Sequence, residues 1–179
     1  MNDAFKKLNS PSALSLLEFF CTHPSRSFYV REAAAASGLS VGSCNAGLKL
    51  LAQMGLLVRS ERGNQVHYLL NSSSPPVRQF RIFLSVLALC GMVDSLEGHC
   101  ERIVLYGSRA FGEESEGSDF DVFILTAQAG EVKRILAARK FKGLSPLVAD
   151  GRRLMALRTG EKPFYERIMA GIELWRRKD

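Results

Sequence analysis

The sequence lacks the features that mark exported and membrane-spanning proteins. Its longest apolar run, residues 82–93, is interrupted by a serine and a glycine and is too short to span a bilayer. The first ten residues contain two lysines but no apolar core after them, so no signal peptide is predicted. The four cysteines lie far apart without a C-x-x-C pair, and we expect reduced, mostly buried thiols. We therefore predict a cytoplasmic protein with no membrane partner.

Several common ligand motifs are also absent. The three histidines are scattered and form no ligand set with the cysteines, and neither G-x-x-x-x-G-K-[ST] nor G-x-G-x-x-G occurs. There is no basic tail, because the net charge of +6 is divided into +3 over residues 1–75, zero over 76–100 and +3 over 101–179. This charge is compatible with nucleic acid or nucleotide phosphates as partners.

The segment N-S-S-S-P-P, residues 71–76, is the clearest domain boundary. Serines and prolines disfavour a helix or strand interior, and the second proline suits the first turn of a following helix. Apolar residues then recur near helical spacing, which predicts a long helix. We predict a first domain over residues 1–75, a linker helix over 76–98 and a second domain over 99–179.

Before this boundary, the pattern predicts a helix, a short strand, two further helices and a hairpin. Residues 12–21 have apolar side chains at helical spacing after a serine cap. S-F-Y-V predicts a short strand, and R-E-A-A-A-A-S-G-L-S predicts a helix that stops at Gly38, with Ser40 capping the next one. That helix ends at Gly55, and residues 56–71 alternate as in a two-stranded hairpin.

This order of elements resembles a winged helix-turn-helix domain of the small bacterial and archaeal regulators. The resemblance covers roughly residues 10–71 and is carried by A-A-x-x-S-G-L-S followed by L-x-x-L-x-x-x-G-L-L. It implies DNA binding, with the second helix in the major groove and the wing on the backbone or minor groove, and commonly a homodimer. The side chains that would face the groove are Ser40, Val41, Ser43, Asn45 and Lys49, and those of the wing are Arg59, Arg62, Asn64 and Gln65.

An alternative remains open for this first domain. The helix that would read DNA has one basic residue, and its Gly42 and Gly47 are poor helix formers. A strongly specific reader usually has an arginine or another amide near its start. A dimerisation or protein-docking module that kept the shape is the second interpretation.

The second domain contains two polar features next to apolar runs. I-V-L-Y predicts a buried strand that stops at Gly107 and Ser108, and a glycine turn followed by a helix start can accept phosphate oxygens. Arg109 would add charge. Asp119 and Asp121 are two apart before another apolar run, so their carboxylates project from the same face. Hard oxygen ligands suit Mg²⁺, although a solvated strand start could also hold two aspartates.

Together these residues form h-G-S-R-A-x-G-x₅-S-D-x-D-h-x-h, which resembles the minimal nucleotidyltransferase domains of the DNA polymerase beta superfamily. The resemblance implies transfer of a nucleoside monophosphate from an NTP, with ATP as the expected donor. It implies phosphate binding by Gly107, Ser108, Arg109 and Ser118, and catalysis through two Mg²⁺ ions held by Asp119 and Asp121. Related domains are often paired with a HEPN-type partner protein and can nucleotidylate it.

One departure from this family concerns a third acidic residue, which active members usually have on the next strand. Here that strand reads G-L-S-P-L-V-A-D-G, with Ser145, Pro146 and Leu147 in the middle and Asp150 at the far end. Loss of general-base help typically costs about 10²- to 10⁴-fold in rate. We therefore expect either a nucleotidyltransferase or a non-catalytic regulator that senses nucleotide. The predicted fold class is α+β: a winged helix-turn-helix, a long helix and a mixed sheet flanked by helices, the last helix covering residues 163–177.

Overall fold

The computed structural model describes residues 10–139 and 141–178. The chain divides into two compact units, Met1–Gln79 and Phe80–Asp179. The division falls inside a long helix, Pro75–Leu96, so most of the predicted linker helix belongs to the second unit.

The first unit has the winged helix-turn-helix topology. Its sheet has the order β1-β3-β2 with antiparallel pairs, and β2 and β3 form the wing through a two-residue turn at Gly63 and Asn64. Gly63 has a φ of +59°, the left-handed conformation that such a turn requires. The elements are α1 (Pro11–Thr22), β1 (Phe28–Tyr29), α2 (Val30–Ser37), α3 (Val41–Gln53), β2 (Leu57–Arg62) and β3 (Gln65–Leu70).

Local signals explain the helix-turn-helix of this unit. Gly38 ends α2 in the left-handed conformation, with a φ of +70°. Ser40 then caps α3, because its hydroxyl accepts a hydrogen bond from the Ser43 N–H. Gly47 is buried against α1, and a β-carbon there would lie 2.6 Å from Leu16 Cδ1, whereas Gly42 faces open space. Of the two glycines that weaken α3, one therefore permits its packing.

The second unit is a four-stranded mixed sheet with helices on both faces. The strand order is β6-β5-β4-β7, with β5 and β6 parallel and the other pairs antiparallel. The elements are α4 (Pro75–Leu96), a 3₁₀ turn (Glu97–His99), β4 (Arg102–Tyr106), α5 (Ser108–Phe111), β5 (Phe120–Leu125), α6 (Ala129–Arg139), β6 (Leu144–Ala149), α7 (Gly151–Gly160), α8 (Lys162–Met169) and β7 (Ile172–Arg176).

Alternate residues of β4 and β5 enter two separate cores. Ile103 and Leu105 pack with Val122 and Ile124 against α4 and α6. Val104, Tyr106 and Phe123 pack on the opposite face against α7 and α8. The strands therefore read as continuous apolar runs, as expected for a sheet covered on both sides.

The predicted closing helix over residues 163–177 is wrong in its second half. Helix α8 ends at Met169, and Ile172–Arg176 form β7 beside β4. Gly171 lies so close to the carbonyl of Leu105 that a β-carbon there would collide with it. The apolar spacing fitted a helix, but pairing with the open edge of β4 favours a strand.

Helix α4 nearly matches the long helix predicted over residues 76–98 and extends beyond the apolar run at residues 82–93 at both ends. Within the described residues, Pro75–His99 is long and apolar enough to cross a membrane by length and composition, and 28% of its apolar window is buried. Leu89, Met92 and Leu96 belong to the core of the second unit, and Arg81 is buried. A helix that packs one face on a protein core and leaves the other uncovered, as α4 does, passes the same test of length and composition.

Candidate nucleotide site and DNA interface

The predicted phosphate turn, formed by Gly107 and Ser108, meets the paired aspartates Asp119 and Asp121 at one end of the sheet. Gly107 follows β4 with a φ of +72°, and Asp121 packs so tightly against it that any β-carbon at this position would collide with the carboxylate. The Ala110 N–H closes the turn by donating to the Gly107 carbonyl at 3.1 Å. Only glycine satisfies both the backbone conformation and this close approach.

Asp119 and Asp121 lie at the start of β5 and project from the same face of the sheet. Asp119 is exposed and Asp121 is half-buried. Asp121 is in register with Tyr106 on β4. Burial raises the pKa of the Tyr106 phenol, the charge of Asp121 raises it further, and Arg167 lowers it. The phenol therefore stays protonated beside the carboxylate at neutral pH.

These two carboxylates fit a magnesium ion that arrives with a nucleotide. Mg²⁺ usually takes one or two protein carboxylates and completes its octahedral shell with substrate phosphates and water. The part of the chain that the structure describes has no group of three or more His, Cys, Asp or Glu side chains able to hold a metal ion. A metal ion held by Asp119 and Asp121 would therefore complete its shell with phosphate oxygens of a nucleotide bound at Gly107 and Ser108.

Arg109 and Ser118 have structural partners within the site. The Arg109 guanidinium donates two hydrogen bonds to the Ser118 carbonyl, at 3.0 and 2.6 Å, and lies 4.0 Å from the centre of the Phe120 ring. The Ser118 hydroxyl accepts from the Ser115 N–H at 3.0 Å. Both residues therefore hold the chain that leads into Asp119, and direct phosphate contact by either of them stays a prediction.

Ser145 occupies the position where a third carboxylate would complete the site. It is exposed and in register with Asp121 across the parallel β5–β6 pair, so both side chains project from the same face. Asp150 caps α7 instead, accepting from the Arg153 N–H at 2.8 Å. It is five residues beyond Ser145, about 17 Å along the strand at 3.3 Å per residue. Asp150 therefore lies at the opposite end of β6.

Sequence reasoning missed two neighbours of the aspartates. Gly143, with a φ of +66°, accepts the Phe120 N–H at 2.7 Å, and a β-carbon on it would lie 3.7 Å from Asp119 Oδ1. The other neighbour is Tyr106. The available signals were Lys142-Gly143 before a strand and Tyr106 at the end of another. Only the strand register brings these residues to the site.

The residues predicted to bind DNA lie on α3 and on the wing. Val41, Ser43, Lys49, Arg62 and Asn64 are exposed, Asn45 is half-buried, and the Ser40 and Ser43 hydroxyls bond to each other at 3.0 Å. Arg59 pairs with Glu61 at 2.7 Å, and this pair reduces the net positive charge of the wing. Gln65 lines a cleft of about 400 Å³ with Tyr29, Val30, Arg31 and Val66, and Arg31 is an exposed cation that the sequence pattern did not single out.

Family comparison assigns the second unit. Residues 92–157 match the family described as the nucleotidyltransferase domain. The chain carries a nucleotidyltransferase domain. In sequence order this domain extends from the end of α4 through the phosphate turn, the paired aspartates and β6 into α7. No match was found among curated protein sequences.

Three solved structures illustrate what the two units are similar to. The homodimeric winged helix-turn-helix DNA-binding domain of a possible ArsR-family regulator from Mycobacterium bovis is 21% identical over 48% of this chain and 74% of its own, with a TM-score of 0.38. A candidate nucleotidyltransferase from Sulfolobus solfataricus is 17% identical over 56% and 87%, with a TM-score of 0.38. A mutant of the toxin–antitoxin MntA-HpeT is 17% identical over 49% and 73%, with a TM-score of 0.33.

Proposed function

We propose that the nucleotidyltransferase domain binds an NTP with Mg²⁺ and transfers its nucleoside monophosphate, AMP when the donor is ATP, to an acceptor hydroxyl. The observation that carries this proposal is the contact between Gly107 and the Asp121 carboxylate, which makes the phosphate turn and the aspartates a single site. Gly107 and Ser108 would hold the β- and γ-phosphates, with Arg109 and Ser118 shaping the loop beside them. Asp119 and Asp121 would hold the metal.

The transfer is an in-line displacement at the α-phosphorus. The acceptor oxygen forms the new P–O bond, the bond to the bridging oxygen breaks, pyrophosphate leaves and the acceptor proton passes to solvent. Two Mg²⁺ ions, when bound, stabilise the attacking and leaving oxygens. Because Ser145 is the residue opposite Asp121, β6 supplies no carboxylate at that position to accept the proton, so the rate would be lower by about 10²- to 10⁴-fold than with a base present.

A second candidate function follows from Ser145. A domain that binds Mg²⁺ and nucleotide but lacks the base can act as a sensor, and the protein would then be a non-catalytic transcriptional regulator. Incubation with Mg²⁺ and labelled ATP separates the two proposals. Label transfer that disappears in Asp119→Ala and Asp121→Ala supports the enzyme. Binding of Mg·ATP without transfer to any acceptor supports the sensor, and no binding contradicts both.

We propose that the winged helix-turn-helix unit binds DNA through α3 and the wing. Lys49, Arg62 and Asn64 are exposed there, and a positive, polar face is what phosphate contacts need. A shift of its own promoter fragment that weakens with salt would support this proposal. Lys49→Ala and Arg62→Ala should each weaken binding, whereas Lys133→Ala, in the other unit, should not.

We propose that the acceptor is a partner protein of the HEPN type in a toxin–antitoxin-like module. The proposal follows from the family resemblance to domains that are paired with such partners, and one structure similar to this chain is a toxin–antitoxin, MntA-HpeT. The test is incubation with the product of the neighbouring gene and labelled ATP, followed by mass spectrometry of both proteins. A mass increase of one nucleotide on the neighbour supports the proposal, and an unmodified neighbour alongside modified nucleic acid contradicts it.

We further propose that the protein is a cytoplasmic homodimer joined through the uncovered face of α4. Phe80, Phe83, Leu84, Leu87 and Gly91 follow the i, i+3, i+4, i+7 spacing of one helix face. Phe83 and Leu87 are 57% and 55% exposed, and no charged residue interrupts this face between positions 80 and 91. Exposed apolar faces of this kind mark interaction sites.

The occupant that best fits this face is a second copy of α4 in antiparallel orientation. In a register that sets position 80 opposite 91, large side chains oppose small or equal ones: Phe80 opposes Gly91, Phe83 opposes Ala88 and Leu84 opposes Leu87. Asp94 then approaches the first turn of the partner helix, where a negative charge is favourable.

The dimer proposal is tested by light scattering of the full chain. Wild type should be a dimer and Leu87→Glu a monomer of unchanged circular dichroism. Glu97→Gln, at an exposed position outside this face, should remain a dimer. A monomeric wild type would contradict the proposal, and flotation of the wild type with lipid vesicles would show that a membrane covers this face instead.

A further inference from the structure

One acidic residue of the loop between the phosphate turn and the aspartates is buried. This loop covers residues 112–118 and contains three glutamates. Glu113 and Glu116 are exposed, as glutamates in a loop usually are, but Glu114 is only 9% exposed. It lies six residues after Ser108 and five before Asp119, so its position bears on both halves of the nucleotide site.

The partner of Glu114 is Arg81 on α4, which is 3% exposed. Arg81 Nε donates to Glu114 Oε1 at 3.0 Å, and a second guanidinium nitrogen donates to the Glu114 carbonyl oxygen. A single side chain thus holds both the carboxylate and the backbone of one loop residue. The planar fork of arginine makes two such bonds at once, which a lysine cannot reproduce.

The two ends of the loop are fastened by local bonds. The Glu113 N–H donates to the Ser108 carbonyl at 3.0 Å, and the Ser115 N–H donates to the Ser118 hydroxyl at 3.0 Å. Neither bond connects the loop to another large element of the unit. Arg81 adds that connection, because it fixes the middle of the loop to a helix that packs on the sheet.

This buried ion pair is costly to form, which argues against a merely structural bond. Desolvation opposes buried pairs, and Glu114 Oε2 is buried without a hydrogen-bond partner in the part of the chain that the structure describes. Without Arg81, the carboxylate would be buried and unpaired, which is strongly unfavourable. The loop would then move to expose Glu114, and Ser108 and Asp119 at its two ends would move with it.

We propose that Arg81 is a positioning residue of the nucleotide site, which acts by holding Glu114 and thereby the loop that joins the phosphate turn to Asp119. This inference rests on the proposed nucleotide binding. Within the described residues, the side-chain hydrogen bonds of Arg81 go to Glu114 and not to the phosphate turn or the aspartates.

The first test replaces Arg81 with lysine in the full chain and measures the Kd of Mg·ATP by calorimetry. Arg81→Lys keeps the positive charge but loses the second hydrogen bond, so the Kd should rise about tenfold. The matched control is Arg134→Lys, which alters an exposed pair with Glu131 away from the loop and should leave the Kd unchanged. A Kd for Arg81→Lys equal to that of the wild type would overturn the proposal.

A second variant separates positioning from folding. The double variant Arg81→Met with Glu114→Leu removes both charges, a replacement that is often neutral for stability. It should melt near the wild-type temperature, while amide exchange of residues 112–118 speeds up without nucleotide and the Kd of Mg·ATP rises. Wild-type exchange and affinity in this variant would overturn the inference alone. A wild type that binds no better than Asp121→Ala would overturn the proposed function, and this inference with it.

Discussion

Ser145→Asp should convert a slow or silent nucleotide site into a faster transferase. Ser145 is in register with Asp121 on the neighbouring parallel strand, and paired strands are about 4.8 Å apart. A carboxylate introduced at position 145 would therefore project from the same face, within reach of a metal held by Asp119 and Asp121. It would supply the missing general base and a third metal ligand.

The expected magnitude follows from what a positioned base contributes. General-base catalysis typically gives about 10²- to 10⁴-fold, which corresponds to about 2.7–5.5 kcal/mol of barrier. The new charge also has a cost, since two carboxylates 4 Å apart repel by about 1 kcal/mol in water. Ser145→Asp should thus melt at a lower temperature than the wild type without metal, and Mg²⁺ should restore most of the loss.

The assay is single-turnover transfer from labelled ATP at saturating Mg²⁺, with pyrophosphate release as a second readout. Ser145→Asn is the matched control, because it has the shape of aspartate without the charge and should stay at the wild-type rate. Adding Asp119→Ala to Ser145→Asp should abolish the gain. If Ser145→Asp binds Mg·ATP but is no faster than Ser145→Asn, the assignment of position 145 as the missing base position is wrong.

Further predictions concern cysteines of the second unit and glycines of the first. Cys90 is exposed and Cys100 is buried, so Ellman's reagent at pH 8 should modify Cys90 in the native protein and Cys100 only on unfolding. Burial raises the pKa of the Cys100 thiol to about 11, and the charge of Arg177 lowers it by a smaller amount. The stability that the protonated thiol contributes is complete below about pH 8.5 and is lost as the pH rises towards 11. The melting temperature should therefore fall less over this pH range in Cys100→Ala than in the wild type. Gly47→Ala should lower the melting temperature of the first unit because it crowds α1. Gly42→Ala should stabilise that unit by up to about 1 kcal/mol and so raise its melting temperature; equal effects in thermal melts would contradict the packing argument.

The candidate nucleotide site could be proposed from the sequence because its signals are local. A glycine after an apolar run and two aspartates at alternate positions each fix their own geometry within a few residues. It was also visible that the next strand has no acidic residue, since L-S-P-L-V-A forms β6 where a strand was predicted. What the sequence does not contain is the β4–β5 register that packs Asp121 onto Gly107.

The errors occurred where tertiary contacts compete with local periodicity. Phe164, Ile168, Ile172 and Trp175 are spaced as on one face of a helix, yet β7 forms because the edge of β4 offers backbone hydrogen bonds to a chain that Gly171 lets approach. Apolar spacing cannot distinguish these outcomes over so short a segment. The same limit applies to the uncovered face of α4, because a helical pattern predicts which residues share a face and not whether another surface covers it.

The pair of Arg81 and Glu114 shows a further limit, which concerns charge. Composition argues that glutamates in a loop are solvated, and for Glu113 and Glu116 this holds. Glu114 has the same neighbours in sequence but pairs with a residue 33 positions away, which no local pattern encodes. Glu114 lies between Ser108 and Asp119. The pair of Arg81 and Glu114, which the sequence does not predict, therefore lies in the loop of the candidate site that the sequence does predict. If Arg81 positions this loop as proposed, a chain that retains every motif residue will still lose nucleotide affinity through a substitution at Arg81.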